Sequence, residues 1–147
     1  MALTMASSDL RPATRSERLA VFLSEAPRQP WDVRHSNCMT FFADWLSIET
    51  GIDFGNVART FCKSAHEQMR LMSDLSEAVP AFDRLLSRHG IKRTASPVLG
   101  DVGLLWTPAP GGRRLLAGAI MTEGAWARRT EQGLVVVPAV PVVAWGI

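Results

Sequence analysis

The stretch that decides the fold is residues 37–51, with the sequence NCMTFFADWLSIETG. Asn37 is a good helix N-cap, which puts Cys38 at the first helical position. Gly51 supplies a left-handed stop at the other end. Between them lies an apolar face wider than a surface helix needs, so the pattern predicts the central helix of the domain. The side chains of this face are Phe41, Phe42, Trp45, Leu46 and Ile48.

Helical spacing also occurs on both sides of this stretch. A first helix begins near Arg15 and ends at Pro27, because proline cannot continue a helix. Further helices are predicted over 57–73 and 76–89, the last one stopped by Gly90. The sequence thus predicts a first half built of helices.

After Gly90 the pattern changes to short aliphatic runs separated by Gly and Pro, which is typical of strands. We predict an antiparallel sheet after residue 97 and an α+β fold with the helices packed on that sheet. Residues 1–14 are predicted to be a flexible arm and 15–147 a single domain. The predicted strands are 102–106, 115–122, 125–128, 134–137 and 142–145.

Composition excludes several classes of protein. Of 147 residues, 47% are hydrophobic and 20% charged, which supports a packed core and argues against disorder. The net charge of +2 predicts no nucleic-acid partner. The basic excess lies in three pairs, expected to flank strands as solvated residues: Lys92-Arg93, Arg113-Arg114 and Arg128-Arg129.

Other sequence features bear on the cellular compartment. No run of 18 apolar residues occurs, so we expect no membrane span. The first residues lack the apolar core of a signal peptide. Two cysteines cannot form a disulfide scaffold. We therefore expect synthesis in a reducing cytoplasm.

Cys38 is the main candidate for chemistry. A cysteine at a helix N-terminus faces unsatisfied N–H groups and the positive end of the helix dipole, which both favour the nucleophilic thiolate. A cysteine hydrolase also needs a base within reach, usually a histidine. The simpler alternative is a small buried residue that packs under the sheet.

The ordered series of motifs resembles a small phage and prophage family, distantly related to the NlpC-type cell-wall peptidases with their papain-like fold. The family pattern has a Trp, then Asp-Cys, an aromatic helix ending in Asp-Trp, and Thr-Gly-x-Asp. Later come Gly-Asp-Val, a strand containing Gly, Gly-Leu and Ala-Trp. The matching segments are Trp31, 36–45, 50–53, 100–102, 117–120, 133–134 and 144–145.

The chain departs from this family at the catalytic base. Active NlpC-type enzymes have a histidine two residues before the glycine of the second strand, and here that position is Leu116. No histidine follows His89. Asn37 stands where the family has Asp. Each lost proton transfer costs roughly 10²–10⁴-fold in rate, so the resemblance implies a vestigial nucleophile position at Cys38, with His35 as the candidate substitute base.

A zinc site is a separate alternative. His35, Cys38, Cys62 and His66 could form a tetrahedral ligand set, since Cys62 and His66 would share one face of the predicted 57–73 helix. The resemblance implies no metal, so the sequence predicts neither a metal nor another cofactor.

The resemblance implies a structural component of the tail tip or baseplate of a phage, prophage or gene-transfer particle. Its location would be the virion tail tip, and its partners other tail-tip or baseplate proteins. The first alternative is an active cysteine amidohydrolase or peptidase that acts on peptidoglycan during DNA entry. The second is a small zinc-stabilised adaptor. Apolar residues 135–147 and the N-terminal arm are the expected docking segments.

Overall fold

Helices form the first half of the chain in the computed structural model, which describes residues 13–32, 37–61 and 64–147. Most of the predicted N-terminal arm, residues 1–12, lies outside the described residues. A short 3-10 turn, Ala26–Arg28, follows the first helix. The helices are α1 (Arg15–Glu25), α2 (Cys38–Thr50), α3 (Phe54–Phe61), α4 (Ala65–Ser73) and α5 (Leu75–Ser87).

The central helix α2 has the predicted bounds. Asn37 Oδ1 accepts hydrogen bonds from the backbone N–H groups of Met39 at 2.8 Å and Thr40 at 3.1 Å. Gly51 ends the helix with a φ of 75°. Trp45 is fully buried, and its indole N–H donates to the backbone oxygen of Gly100 at 2.7 Å. This bond ties the helix to the turn that precedes the sheet.

Two details of the helical prediction are wrong. Ile48 does not belong to the buried face, because its side chain is 52% exposed. The single helix predicted over 57–73 is two helices, since α3 ends at Phe61 and Ser64 begins a new one. The hydroxyl of Ser64 accepts from the backbone N–H of Glu67 at 3.1 Å and so caps the start of α4.

The helix α5 ends at a glycine-dependent turn, as predicted. Gly90 has a φ of 76°. The backbone N–H of Ile91 donates to the oxygen of Leu86, and that of Gly90 donates to Ser87, both at 3.1 Å. This pair of bonds is the Schellman motif, which satisfies carbonyls that the helix end leaves open. The chain then turns directly into the sheet.

The second half forms a six-stranded antiparallel sheet with the strand order β1-β6-β2-β3-β4-β5. The predicted antiparallel sheet is confirmed, and the molecule is α+β with its helices first. The two-residue strand β1 was not predicted, because two charged residues carry no alternating pattern. The strands are β1 (Lys92–Arg93), β2 (Val102–Ala109), β3 (Arg113–Met121), β4 (Trp126–Thr130), β5 (Gly133–Val137) and β6 (Val143–Gly146).

The two faces of the sheet are covered differently. One face packs against the helices and contributes Leu104, Leu116 and Trp145 to the main core. The other face has a smaller cluster formed by strand residues, in which Trp126 of β4 is 1% exposed. Its ring lies over Gly103 of β2, where an added Cβ would come within 2.9 Å of Trp126 Cη2.

The apolar C-terminal segment 135–147 is largely used inside the molecule. β6 lies between β1 and β2, and Val143, Ala144 and Trp145 are buried there. Exposed apolar side chains of this segment are Val136, which is 56% exposed, and Val140, which is 92% exposed. The large exposed apolar side chains of this segment therefore lie only in β5 and the loop after it. No helix among the described residues is long and apolar enough to cross a membrane.

Candidate functional site

The candidate site lies at the N-terminal end of α2, where Cys38 is the first helical residue as predicted. The Cys38 side chain is outside the described part of the structure, as are His35 and Cys62. The adjacent N-cap is described in full. Asn37 is 1% exposed, and its backbone N–H donates to the Thr40 hydroxyl at 2.9 Å. The reciprocal bonds of this capping box hold the start of the helix in one conformation.

A second helix reaches this helix start. Asn37 Nδ2 donates to Gln68 Oε1 of α4 at 3.3 Å. Gln68 also lines a cleft of about 320 Å³, which Leu116 of β3 and Trp31 line as well. The cleft lies between α4 and the sheet, and Gln68 connects it to the N-cap of α2; we call it the α2 cleft.

Leu116 contributes an apolar wall to this region. It lies on β3 opposite Trp106 of β2 and is 1% exposed. It belongs to the same core cluster as Met39, the residue that follows Cys38. A leucine side chain neither accepts nor donates a proton, so this position of β3 offers no acid–base group.

Ionisable side chains line the opposite rim of the α2 cleft. Among the described lining residues these are Arg128, Arg129 and Glu131, all at the β4–β5 end of the sheet. None of them is a histidine. Glu131 is exposed and lies in the turn between β4 and β5. The described part of the cleft therefore lacks an imidazole base.

Arg129 corrects the sequence analysis, which treated it as a solvated residue beside a strand. It is 6% exposed. Its Nη1 donates to the backbone oxygen of Ala26 at 2.7 Å, and its Nη2 donates to that of Gln29. The guanidinium thus ties the segment after α1 to β4. These bonds hold the segment that leads to Trp31 against the sheet. The sequence pattern did not distinguish Arg129 from its neighbour Arg128.

Only His66 of the alternative zinc set lies fully within the described residues. It is exposed on α4, and Cys62 lies outside the described residues, so the shared face stays a prediction. Within 13–32, 37–61 and 64–147, no group of three His, Cys, Asp or Glu side chains is placed to hold a metal ion. Three of the four proposed ligands fall on side chains that are not described.

Asp101 stabilises the turn before β2. It is 3% exposed, and its Oδ2 accepts from the backbone N–H of Val98 at 2.8 Å. Its Oδ1 accepts from the backbone N–H of Ile147 at 3.1 Å. Both carboxylate oxygens are used by backbone, so the residue closes the turn before β2 and holds the end of β6.

A family model covers nearly all of this architecture, from residue 11 to residue 147. The chain belongs to DUF6950, described as a domain of unknown function. No curated protein and no solved structure gives a significant match to it. The match of this DUF6950 chain includes every helix and strand given above.

The DUF6950 chain has two site residues that sequence reasoning missed. Gln68 joins α4 to the N-cap of α2, and Arg129 joins β4 to the loop before it. Neither residue lies in a motif or a periodic position. The sequence neighbours of Arg129, Arg128 and Thr130, are polar and gave no sign of its burial, and its apolar strand partner Leu134 is known only from the structure.

Proposed function

We propose that this protein is a non-catalytic structural component of the tail tip or baseplate of a phage, prophage or gene-transfer particle. In this proposal it is built on a papain-like, NlpC-type domain that has lost its catalytic base. It is made in the cytoplasm of a bacterial host and ends up in the virion. The observation that carries the proposal is Leu116, which is 1% exposed and lines the same cleft as Gln68, the residue bonded to the N-cap of the cysteine-bearing helix.

Catalysis by a cysteine hydrolase depends on proton transfer. A thiolate at Cys38 would need a general acid to protonate the leaving group and a general base to activate water. Leu116 can do neither, and its burial keeps water from taking its place. Helix-dipole activation alone leaves a reactive thiol without turnover. The arrangement therefore favours a scaffold over an enzyme.

Assembly requires an exposed surface that a neighbouring subunit can cover. The edge strand β5 supplies one, because its residues Leu134, Val135 and Val136 carry no charge and Val136 is 56% exposed. The opposite edge, β1, consists of two exposed charged residues. Charged residues block edge-to-edge pairing, whereas an apolar edge invites it. The asymmetry supports contact with another tail protein on the β5 side.

The direct test of this function is mass spectrometry of purified particles. We expect the protein in the intact particle and in isolated tails, in a fixed ratio to a known tail subunit. Particles produced after deletion of the gene provide the background control. Absence of the protein from purified particles would overturn the proposal in favour of an assembly factor or a lysis enzyme.

Turnover on peptidoglycan fragments separates the scaffold from the enzyme. We expect no release of stem peptides by the native chain, and the same result with Cys38→Ala. Cys62→Ala is the matched control, because it removes the other thiol. If the native chain releases stem peptides and Cys38→Ala abolishes this, the protein is a cysteine amidohydrolase, and His35→Ala then tests the loop histidine as its base.

A further inference from the structure

Three arginine side chains line a second cleft that continues from the α2 cleft. This basic cleft has a volume of about 360 Å³ and lies between α4 and the β2–β3 hairpin. It shares Met69 and Leu115 with the α2 cleft, so the two depressions form one groove. The cationic lining residues are Arg70 of α4 and Arg113 and Arg114 of β3, and His66 of α4 also lines the cleft.

The cations of the hairpin have no acidic partner in the part of the chain that the structure describes. No described carboxylate forms a salt bridge with Arg113 or Arg114, whereas Arg70 is bound to Glu77 at 2.9 Å. Arg114 stacks over the ring of Trp106, with its Cζ 4.2 Å from the ring centroid. Stacking orients the guanidinium plane and leaves its N–H groups free to bind a carboxylate.

The floor of the basic cleft is apolar. Met69 is 49% exposed there, and Ala109, Pro110 and Leu115 continue the surface. A methionine side chain adapts to differently shaped apolar partners, which suits a docking surface. A small anion would leave this floor in water. A ligand that covers both features needs carboxylates together with an apolar side chain.

We propose that the groove binds an extended acidic segment of a partner protein, with carboxylates on Arg113 and Arg114 and an apolar side chain on Met69. This names the partner chemistry of the proposed tail function and rests on that function. A nucleic acid fits less well, because the floor is aliphatic and the Trp106 ring is already covered by Arg114.

Fluorescence anisotropy with a synthetic peptide tests this proposal on the purified full chain. The probe is a fluorescein-labelled dodecapeptide of repeating Glu-Asp-Leu. We expect saturable binding that weakens as salt is added, because exposed charges are screened. Two variants of the peptide test the two contributions separately. In one, Gln and Asn replace Glu and Asp, which removes the carboxylates; in the other, Ser replaces Leu, which removes the apolar side chain. Both should bind more weakly.

Protein variants locate the binding surface. Arg113→Glu/Arg114→Glu should weaken binding by about tenfold, because it replaces two attractive pairs with repulsion. The control Arg88→Glu/Lys92→Glu makes the same change in net charge at two exposed residues outside the groove, and should bind the probe like the native chain. Arg113→Glu alone serves as a second variant, because it keeps the Arg114–Trp106 stack and its fold is checked by thermal melting.

Three results would overturn the inference. They are native-like binding by Arg113→Glu/Arg114→Glu, equal weakening by the control pair, and tighter binding of oligothymidylate than of the peptide. The outcome for the proposed function is separate. A chain that binds the peptide but is absent from particles overturns the tail function alone. If the protein is present in particles but binds no acidic peptide, only the proposed binding of an acidic segment in the groove is overturned.

Discussion

Asp83 shows how one residue can join three elements. Its Oδ1 accepts from the indole N–H of Trp145 on β6 at 2.9 Å and from Arg93 Nε on β1 at 3.0 Å. Arg93 also binds Oδ2 of the same carboxylate. The hydrogen bond from Arg93, aided by that from Trp145, holds the pKa of Asp83 below its ordinary value. The carboxylate thus connects α5 to the edge of the sheet in its charged form.

Because the pKa of Asp83 is lowered in the folded protein, we expect the stability of the fold to depend on pH. The folded-state pKa of Asp83 is lowered, so its contribution is fully present above the unfolded-state pKa of about 3.9 and is lost as pH falls through the lower folded value. Asp83→Asn should lower the free energy of unfolding by about 1 kcal/mol near neutral pH. The difference from the native chain should shrink below about pH 4.

Urea unfolding at several pH values measures this difference. Glu123→Gln is the control, because Glu123 is exposed in the loop between β3 and β4 and its neutralisation should change little. A gap between native and Asp83→Asn that stays constant down to pH 2 would contradict the proposed role of the charged carboxylate.

At the residue scale, Arg128 and Arg129 differ in a way that the sequence pattern does not determine. Arg128 and Arg129 are adjacent and chemically identical in the sequence, yet Arg129 is 6% exposed and binds two carbonyls of the loop after α1. Both side chains line the α2 cleft, but only that of Arg129 is buried against the segment after α1. Which of the two is covered depends on distant residues, so the sequence motif alone assigned both to solvent.

At the scale of elements, the packing of the strand β2 requires glycine at position 103, where there is no room for a side chain. Gly103 lies under the ring of Trp126, and an added Cβ would come within 2.9 Å of both Trp126 Cη2 and the backbone oxygen of Val143. The backbone of β6 cannot move away without losing its hydrogen bonds to β2. The close packing of β2, β4 and β6 therefore requires glycine at this position.

Gly103→Ala should destabilise the fold by about 1–3 kcal/mol, which is the usual cost of overpacking a well-packed core. Gly146→Ala on β6 is the matched control, because its added Cβ would meet its nearest neighbour, Thr94 Cβ, at an ordinary 3.7 Å. Thermal or urea unfolding measures both. Equal stability of Gly103→Ala and Gly146→Ala would show that the ring of Trp126 moves aside freely.

Interactions within a few residues explain both the correct and the incorrect parts of the helix prediction. The start and end of α2 depend on the side chain of Asn37 and the backbone of Gly51, which act within a few residues. The break between α3 and α4 also depends on a local cap, at Ser64. That cap was missed because the apolar periodicity continues across it. A serine in a helical pattern signals a new helix only when its hydroxyl faces a free N–H.

At the scale of the whole molecule, a polar cluster joins the first helix to the last strand. Glu49 near the end of α2 has a side chain that is 1% exposed, and it accepts from Arg15 Nε at 2.9 Å and Arg18 Nε at 2.7 Å. Arg15 Nη1 also donates to the backbone oxygen of Ile147 at 2.7 Å. The hydrogen bond from Arg18 is the main cause that lowers the pKa of Glu49, so the carboxylate is charged at neutral pH.

Glu49→Gln should reduce the free energy of unfolding by about 1–3 kcal/mol, because it weakens charge-assisted bonds to two arginines at a buried carboxylate. Hydrogen exchange should show faster opening of α1 in this variant, since α1 is held to α2 by those bonds. Glu25→Gln, at the exposed end of α1, is the control. Unchanged exchange of α1 in Glu49→Gln would mean that apolar packing alone holds the helix.

The candidate site follows the same division between local and tertiary information. From the sequence came the position of Cys38 at a helix start, and the structure has that helix begin there. The groove could not be predicted, because it forms where α4 meets the β2–β3 hairpin and its lining residues are distant in the chain. Arg113 and Arg114 were visible in the sequence as a charged pair, but not as the rim of a cleft with an apolar floor.

By itself, then, the sequence determined the α+β class, the central helix with its caps, and the antiparallel strands, because these depend on periodicity and on groups a few residues apart. The tertiary structure alone decided the order of strands, with β6 between β1 and β2. It also decided the burial of Arg129 and the hydrogen bond between Asn37 and Gln68. These depend on contacts between residues far apart in the chain, which are stabilised only when the whole core is packed.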